Sequence, residues 1–321
     1  MSPLVALVSR DDFAVPAGLA ERIDAAGGEL RHRDCTSGAE VVGTARDATV
    51  VWVFGGGRLV TDELLADLPD CRLILRSGSG TDNIPVAAAR ERGIAVGNTP
   101  EATRDVVADH TIGLLIAQHR LIVLKDRHIR RGRFSQGDPS AGPALAGMTL
   151  GLIGFGHIGT AVATRAAPFG LRVLATDPGR SDGEIRAGGA RPVGLDELLR
   201  TSDFVSLHVP LLASTTALIG APELAAMQPH AILINTSRGK VVDQDALTEA
   251  LESGQIAGAA LDVFDPEPLP PDCPLLGMEQ VVLTPHTAGS GEAMISQFWE
   301  DLIITIGHFL RTGRPRWEVT A

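Results

Sequence analysis

A chain of 321 residues with 44% hydrophobic side chains has enough apolar material for one large domain or two of ordinary size. Its net charge of -11 argues against nucleic acid and anionic membranes as partners, though not against a small anionic substrate gripped by one local arginine. Cys35, Cys71 and Cys273 are odd in number and far apart, as reduced cytoplasmic thiols are; no metal-binding tract is present, and the absence of tyrosine removes a Tyr acid or base.

The first hundred residues alternate two patterns. Short apolar runs at 5–9, 48–54, 73–76 and 94–97 predict buried strands, with helices at 19–26, 61–68 and 86–92 between them. This is a small α/β domain in its own right. Residues 1–8 are short and run into Arg10, Asp11 and Asp12, so they read as a first strand and not as a secretory leader. After Pro100, residues 102–124 carry a long helical pattern suited to bridging two domains, and a Gly/Pro/Ser-rich stretch follows at 132–147. Further strands are predicted at 148–153, 171–176, 204–209, 231–235, 257–263 and 281–284. Helices are predicted at 160–168, 196–200, 222–227 and 245–253, and a last one at 290–312. No run approaches membrane-spanning length. The alternation implies parallel sheets, whose ligands bind just beyond the carboxyl ends of the strands.

Gly154, Gly156 and Gly159 stand between a strand and a helix, and Asp177 closes the next apolar run. Strand, glycine turn, helix, strand, acid is a dinucleotide-binding fingerprint. The first glycine allows the tight turn. The second lets the backbone approach a pyrophosphate resting on the helix N-terminus, and the third lets helix and strand pack closely. A carboxylate at 177 suits two ribose hydroxyls and repels a 2′-phosphate, so the expected cofactor is NAD rather than NADP.

Four residues stand just past later strands: Arg238, Asp262, Glu267 and His286. An arginine can fork onto a carboxylate and polarise a carbonyl oxygen. A histidine can exchange a proton with a hydroxyl, and a glutamate beside it can stabilise the imidazolium. Together, next to a nicotinamide, they make oxidation of a 2-hydroxy acid physically sensible. His110, His119, His128, His208 and His230 have no such company and read as helix-face, packing or surface residues.

With these pieces the chain resembles the D-isomer-specific 2-hydroxy acid dehydrogenase family over nearly its whole length, most like the phosphoglycerate dehydrogenase branch. The likeness rests on Gly154-Phe155-Gly156-His157-Ile158-Gly159, Leu207-His208-Val209-Pro210-Leu211, Asn235-Thr236-Ser237-Arg238-Gly239, Ala260-Leu261-Asp262-Val263-Phe264, Glu267-Pro268 and Thr284-Pro285-His286. It implies two doubly wound parallel-sheet α/β domains. The larger, 101–285, is a Rossmann NAD-binding domain; the smaller, 1–100 with 286–321, is a flavodoxin-like substrate domain. It implies Arg238, Glu267 and His286 as catalytic residues and Asp262 as the acid holding the nicotinamide amide. It further implies cofactor contacts at Ser79, His157, Ile158, Asp177, Val209, Pro210, Thr236 and Gly289, and a homodimer formed through the helix predicted at 102–124.

The run Arg76-Ser77-Gly78-Ser79-Gly80 looks like the family's substrate loop, where successive N–H groups of Ser77, Gly78 and Ser79 can cradle a carboxylate. The phosphoglycerate branch often has an arginine where this chain has Phe54, with Arg58, Arg76 and Arg133 left to compensate. A Phe54 facing the substrate suits a small or aromatic side group. The reaction expected is therefore hydride transfer between NAD(H) and a D-2-hydroxy acid/2-keto acid pair in a cytoplasmic enzyme. The alternative is an NAD(H)-sensing, corepressor-like interaction protein of the same fold, and the lack of an appended tail speaks against it.

Overall fold

The computed structural model describes residues 2–10, 15–55, 57–134, 141–290 and 292–319, with the backbone alone over 292–297. Asp11, Asp12, Gly56 and residues 135–140 of the glycine- and proline-rich stretch lie outside the described residues. In chain order the elements begin β1 (Leu4–Ser9), α1 (Leu19–Ala25), β2 (Glu29–Asp34), α2 (Gly38–Ala45), β3 (Val50–Phe54), β4 (Leu73–Arg76), α3 (Val86–Glu91) and β5 (Ala95–Gly97). They continue with α4 (Arg104–His119), α5 (Ile122–Arg130), β6 (Thr149–Ile153), α6 (His157–Ala166), β7 (Arg172–Thr176), α7 (Asp182–Ala187), β8 (Arg191–Pro192) and α8 (Leu195–Thr201). The rest are β9 (Phe204–Leu207), α9 (Ala221–Ala226), β10 (Ile232–Asn235), α10 (Gln244–Glu252), β11 (Gly258–Leu261), β12 (Val281–Leu283) and α11 (Glu292–Thr312). They fall into two units, Met1–Thr103 with Gly291–Ala321, and Arg104–Ser290.

The first unit holds a parallel sheet in the order β2-β1-β3-β4-β5, the flavodoxin-like order. Alternate side chains of one strand serve opposite faces, as the pleat requires. Leu4, Ala6 and Val8 join a core with Val41, Leu64 and Leu68, while Val5 and Leu7 join Trp52, Leu75, Trp299, Leu302 and Ile306 of α11. Phe54 stacks on Trp299 at 5.4 Å with 7° between the planes, and Trp52 meets the same indole edge-on at 5.4 Å.

The second unit holds seven parallel strands in the order β12-β11-β10-β9-β6-β7-β8. Both faces are covered: Leu150 and Leu152 pack with residues of α4 and α6, and Val205, Leu207 and Leu233 with residues of α8, α9 and α10. Strand order reverses direction between β6 and β9, which opens a crevice at their carboxyl ends.

Three expectations need correcting. The helix predicted over 102–124 is two, α4 and α5, which meet at 61°. Leu121, at φ +55, makes the break. A leucine there costs roughly 1–2 kcal/mol, against which α5 buries Leu124 and His128. The helix at 61–68 shrinks to one 3-10 turn, Leu64–Asp67. β2 and α2 were not foreseen. β2 (ELRHRD) is a largely exposed edge strand with no apolar run, and α2 contains two glycines. The Ser37/Glu40 capping box was the available signal for α2.

Candidate active site

At the crevice the glycines divide their work. Gly154 has φ +94, and a Cβ on it would collide with the His208 carbonyl; a Cβ on Gly159 would collide with the Gly154 carbonyl oxygen. The protein's own packing closes both positions to side chains. Gly156 is different, since a Cβ there would meet nothing within 4 Å. Its backbone faces open space, as a turn that admits a pyrophosphate requires. Gly156 is also the N-cap of α6 and supplies no side-chain cap to the first turn, which holds His157 and Ile158.

Asp177, just past β7, is tied to this turn. Its Oδ2 accepts the Phe155 N–H (2.7 Å) and its Oδ1 the Gly179 N–H (2.8 Å). That fixes the carboxylate beside the glycine loop with lone pairs to spare for ribose hydroxyls. Arg180, two residues past Pro178, is paired with Glu184 (3.1 Å), and Ser181 donates N–H and Oγ–H to the same carboxylate.

His208 backs the glycine turn, and its Nε2 lies 2.9 Å from Ser206 Oγ. Burial pushes its pKa down from 6.5 to about 4. Between these values the unfolded chain binds a proton that the folded chain refuses, so stability is lost as pH falls from 6.5 towards about 4. The residue keeps some exposure, so the expected loss is about 2 kcal/mol, less than the roughly 3 of an undiscounted shift. Denaturation midpoints across this window should fall more steeply in wild type than in His208→Asn. Equal slopes would mean the imidazole is not held neutral.

The strongest convergence lies past β11 and β12. Asp262 is fully buried. Its Oδ1 accepts the Thr284 hydroxyl (2.5 Å) and the Thr287 N–H (2.9 Å), and its Oδ2 the Ala288 N–H (2.8 Å). Its main-chain carbonyl accepts the His286 N–H at 2.8 Å. These bonds hold the turn in which His286 adopts a left-handed φ of +53, and Ser290 N–H to Thr287 O (2.9 Å) closes it around Gly289. The turn thus packs with the second unit, although residues 286–290 were expected in the substrate domain. His286 Nδ1 sits 2.8 Å from Glu267 Oε2, and Glu267 Oε1 accepts the Phe264 N–H (2.9 Å). An ionised glutamate only accepts, so Nδ1 carries the hydrogen and Nε2 is left to exchange one.

Arg238 follows β10. Asn235 Nδ2 donates to its carbonyl (2.9 Å), and its own Nη1 donates to Ser237 O (2.8 Å). A Cβ on the next residue, Gly239, would overlap the Phe264 carbonyl. The bare Gly239 therefore lets the Arg238 turn lie directly against the turn that carries Glu267, a role the sequence reading did not give it. Thr236 is nearly buried and its Oγ1 lies 3.1 Å from that of Thr111 on α4. Val209 and Pro210 follow β9, with the Pro210 carbonyl taken by Thr215 Oγ1 (2.6 Å). His110, dismissed on sequence, lies 3.0 Å from Thr284 Oγ1; a lone histidine in an amphipathic helix carries no signal of that kind.

The loop after β4 belongs to the first unit. The Ser77 N–H donates to Val53 O (3.0 Å) and the Gly78 N–H to Thr99 Oγ1 (2.8 Å), so these two are not free for a carboxylate. The Trp52 indole N–H donates to Ser77 Oγ (2.8 Å), and Asn98 Nδ2 donates to Ser79 O (2.8 Å). Gly78 has φ +95, and a Cβ on it would collide with the Arg76 guanidinium, so Arg76 lies over the loop; Arg58 is paired with Asp62 (3.3 Å). The Phe54 ring is spent on Phe298 and Trp299 of α11.

Residues 112–288 match the family model described as D-isomer specific 2-hydroxyacid dehydrogenase, NAD binding domain. The chain is 46% identical over 249 residues to a glyoxylate reductase of Korarchaeum cryptofilum (strain OPF8), covering 75% of each. It superposes on the crystal structure of a glyoxylate reductase from Paecilomyes thermophila with a TM-score of 0.89 at 30% identity, over 100% of this chain and 99% of that one. It also superposes on a D-lactate dehydrogenase from Aquifex aeolicus, solved with NAD and lactic acid, with a TM-score of 0.81 at 29% identity over 95% of each.

Proposed function

The chain belongs to the D-isomer specific 2-hydroxyacid dehydrogenase family, and from that premise we propose that Arg238, Glu267 and His286 are its catalytic residues. The protein is an NAD-dependent oxidoreductase that transfers a hydride between NAD(H) and a 2-hydroxy acid/2-keto acid pair. The observation that carries the assignment is the 2.8 Å contact between His286 Nδ1 and Glu267, in a turn fixed by buried Asp262. Gly154, Gly156, Gly159, His157, Ile158 and Asp177 would hold the cofactor; when bound, it supplies the hydride for reduction and accepts it in oxidation. Arg238 grips the substrate carboxylate and polarises the keto oxygen. His286 Nε2 gives that oxygen its proton, and Glu267 steadies the imidazolium before it does. In oxidation His286 must start neutral and takes the hydroxyl proton.

We take the substrate to be small, because the relative named above is a glyoxylate reductase. Loss of NADH absorbance with a panel of glyoxylate, hydroxypyruvate, pyruvate and an aromatic 2-keto acid tests this. No turnover with any member would overturn the reading. We place the enzyme in the cytoplasm as a homodimer. Three free cysteines support the reducing compartment, and sedimentation at micromolar concentration tests the dimer.

NAD should be preferred over NADP by roughly a hundredfold in specificity constant, because a 2′-phosphate would meet the Asp177 carboxylate. Arg180, the cation nearest in sequence, is paired with Glu184, which stays ionised with a pKa lowered to about 2 by its Ser181 and Arg180 partners. Asp177→Ala should erode the preference mainly through the KM for cofactor. A wild-type preference for NADPH would refute the assignment.

A further inference from the structure

α4 sends two polar side chains toward the carboxyl ends of the sheet in its own unit, and the chemistry above uses neither. Thr111 Oγ1 donates to Val107 O (2.8 Å), so Thr236 donates to Thr111, and that contact is a helix-to-strand tie. His110 is different. Its Nε2 lies 3.0 Å from Thr284 Oγ1 and 3.6 Å from Asp262 Oδ1. Thr284 has a single hydroxyl hydrogen, and Oγ1 already donates it to Asp262 Oδ1 at 2.5 Å. The contact with His110 must then run from Nε2–H to Oγ1. A directed chain results, imidazole to hydroxyl to carboxylate. It ends on the residue whose oxygens hold the N–H groups of His286, Thr287 and Ala288.

We propose that His110 is a positioning residue: through Thr284 it fixes the Asp262 carboxylate and, with it, the left-handed turn that sets His286 against Glu267. A fully buried carboxylate is costly unless its lone pairs are met. A hydroxyl that itself accepts a hydrogen bond is a stronger donor, so His110 strengthens the bond that the Thr284 side chain donates to Asp262. Asp262 is the charged group beside His110 among the described residues. Asp105 and Asp109 of the same helix are bound to Arg165 (3.0 and 2.5 Å). Glu267 is the charged partner of His286. The inference rests on His286 being the acid–base group.

The test uses His110→Ala, His110→Gln, Thr284→Val and the Ala/Val double variant, each checked for folding by circular dichroism. One readout is the pH dependence of kcat for 2-keto acid reduction. The other, in protein free of cofactor and substrate, is the imidazole ¹H–¹³C titration of His286, identified by its loss in His286→Gln. His110→Ala and Thr284→Val should each lower kcat about tenfold with less than about a threefold change in either KM. Both should move the His286 titration and the alkaline limb of reduction to lower pH, because a slack turn loosens the Glu267 pairing. His110→Gln, which keeps a donor at the same reach, should restore most of both, and the double variant should be no worse than either single one. A folded His110→Ala with wild-type kcat and titration overturns the proposal. So do additive losses, or equal losses in Ala and Gln with the His286 titration unmoved. If His110→Ala does not fold, Thr284→Val decides by the same criteria. If His286→Ala proves active while the ligand-free titration still moves, the acid–base reading fails and the coupling stands.

Discussion

Glu267→Gln moves the pH profile of 2-keto acid reduction to lower pH and keeps far more of the peak rate than His286→Ala, which loses roughly a thousandfold. Reduction needs a protonated His286 and oxidation a neutral one, so one ionisation should give the two directions opposite limbs. Glu267 lies 2.8 Å from Nδ1 and favours the imidazolium by its charge. Glutamine keeps the shape but removes the charge, and its single carbonyl oxygen can accept from the Phe264 N–H or from Nδ1–H of His286 but not from both. The alkaline limb of reduction then sets in earlier, and the acid limb of oxidation retreats by the same amount. Both members of the pair are partly exposed, at 47% and 37% of their side-chain surface, so the shift should shrink as salt is raised. Initial rates in both directions from pH 5 to 10 decide it. An unmoved profile leaves Glu267 as a turn residue, and an active His286→Ala with normal limbs removes the histidine from the mechanism.

Arg238→Ala should cost at least about a hundredfold in kcat/KM, roughly 3 kcal/mol, with the loss divided between kcat and KM. A guanidinium that only bound the carboxylate would appear in KM alone. One that also polarises the reacting carbonyl strengthens its hold as negative charge develops and so appears in kcat. Arg238→Lys keeps the charge without the two-pronged geometry and should fall between. The backbone around Arg238 is held by Asn235 and by the close approach of Gly239 to Phe264, so neither change should disturb the fold. Near-wild-type turnover in Arg238→Ala would place the substrate grip elsewhere.

The sheets and the glycine turn were legible because their signals are local. A strand buried on both faces must read as an apolar run, and Gly154 and Gly159 could be nothing else once β6, α6 and the His208 carbonyl crowd together. Arg238, Asp262, Glu267 and His286 stood out as candidates because chemistry-bearing residues just past parallel strands share one end of a sheet. What escaped depends on contacts distant in sequence. His110 looks like any helix-face histidine until Thr284, 174 residues on, is brought beside it. The requirement for glycine at 239 comes from Phe264, and the commitment of the Ser77 N–H from Val53. The break at Leu121 escaped for another reason, since no glycine or proline marks it and tertiary packing overrode a favourable helical pattern.

The aromatic cluster under α11 has an optical consequence. Trp52, Trp299 and Trp317 all lie in the first unit, and the chain has no tyrosine. Intrinsic emission excited at 295 nm therefore monitors that unit alone, with Phe54 stacked on one of its emitters. The nucleotide-binding unit is dark at that wavelength. Any fluorescence it gains on loading with reduced dinucleotide belongs to the ligand, so the two halves of the molecule can be followed in separate optical channels without a label.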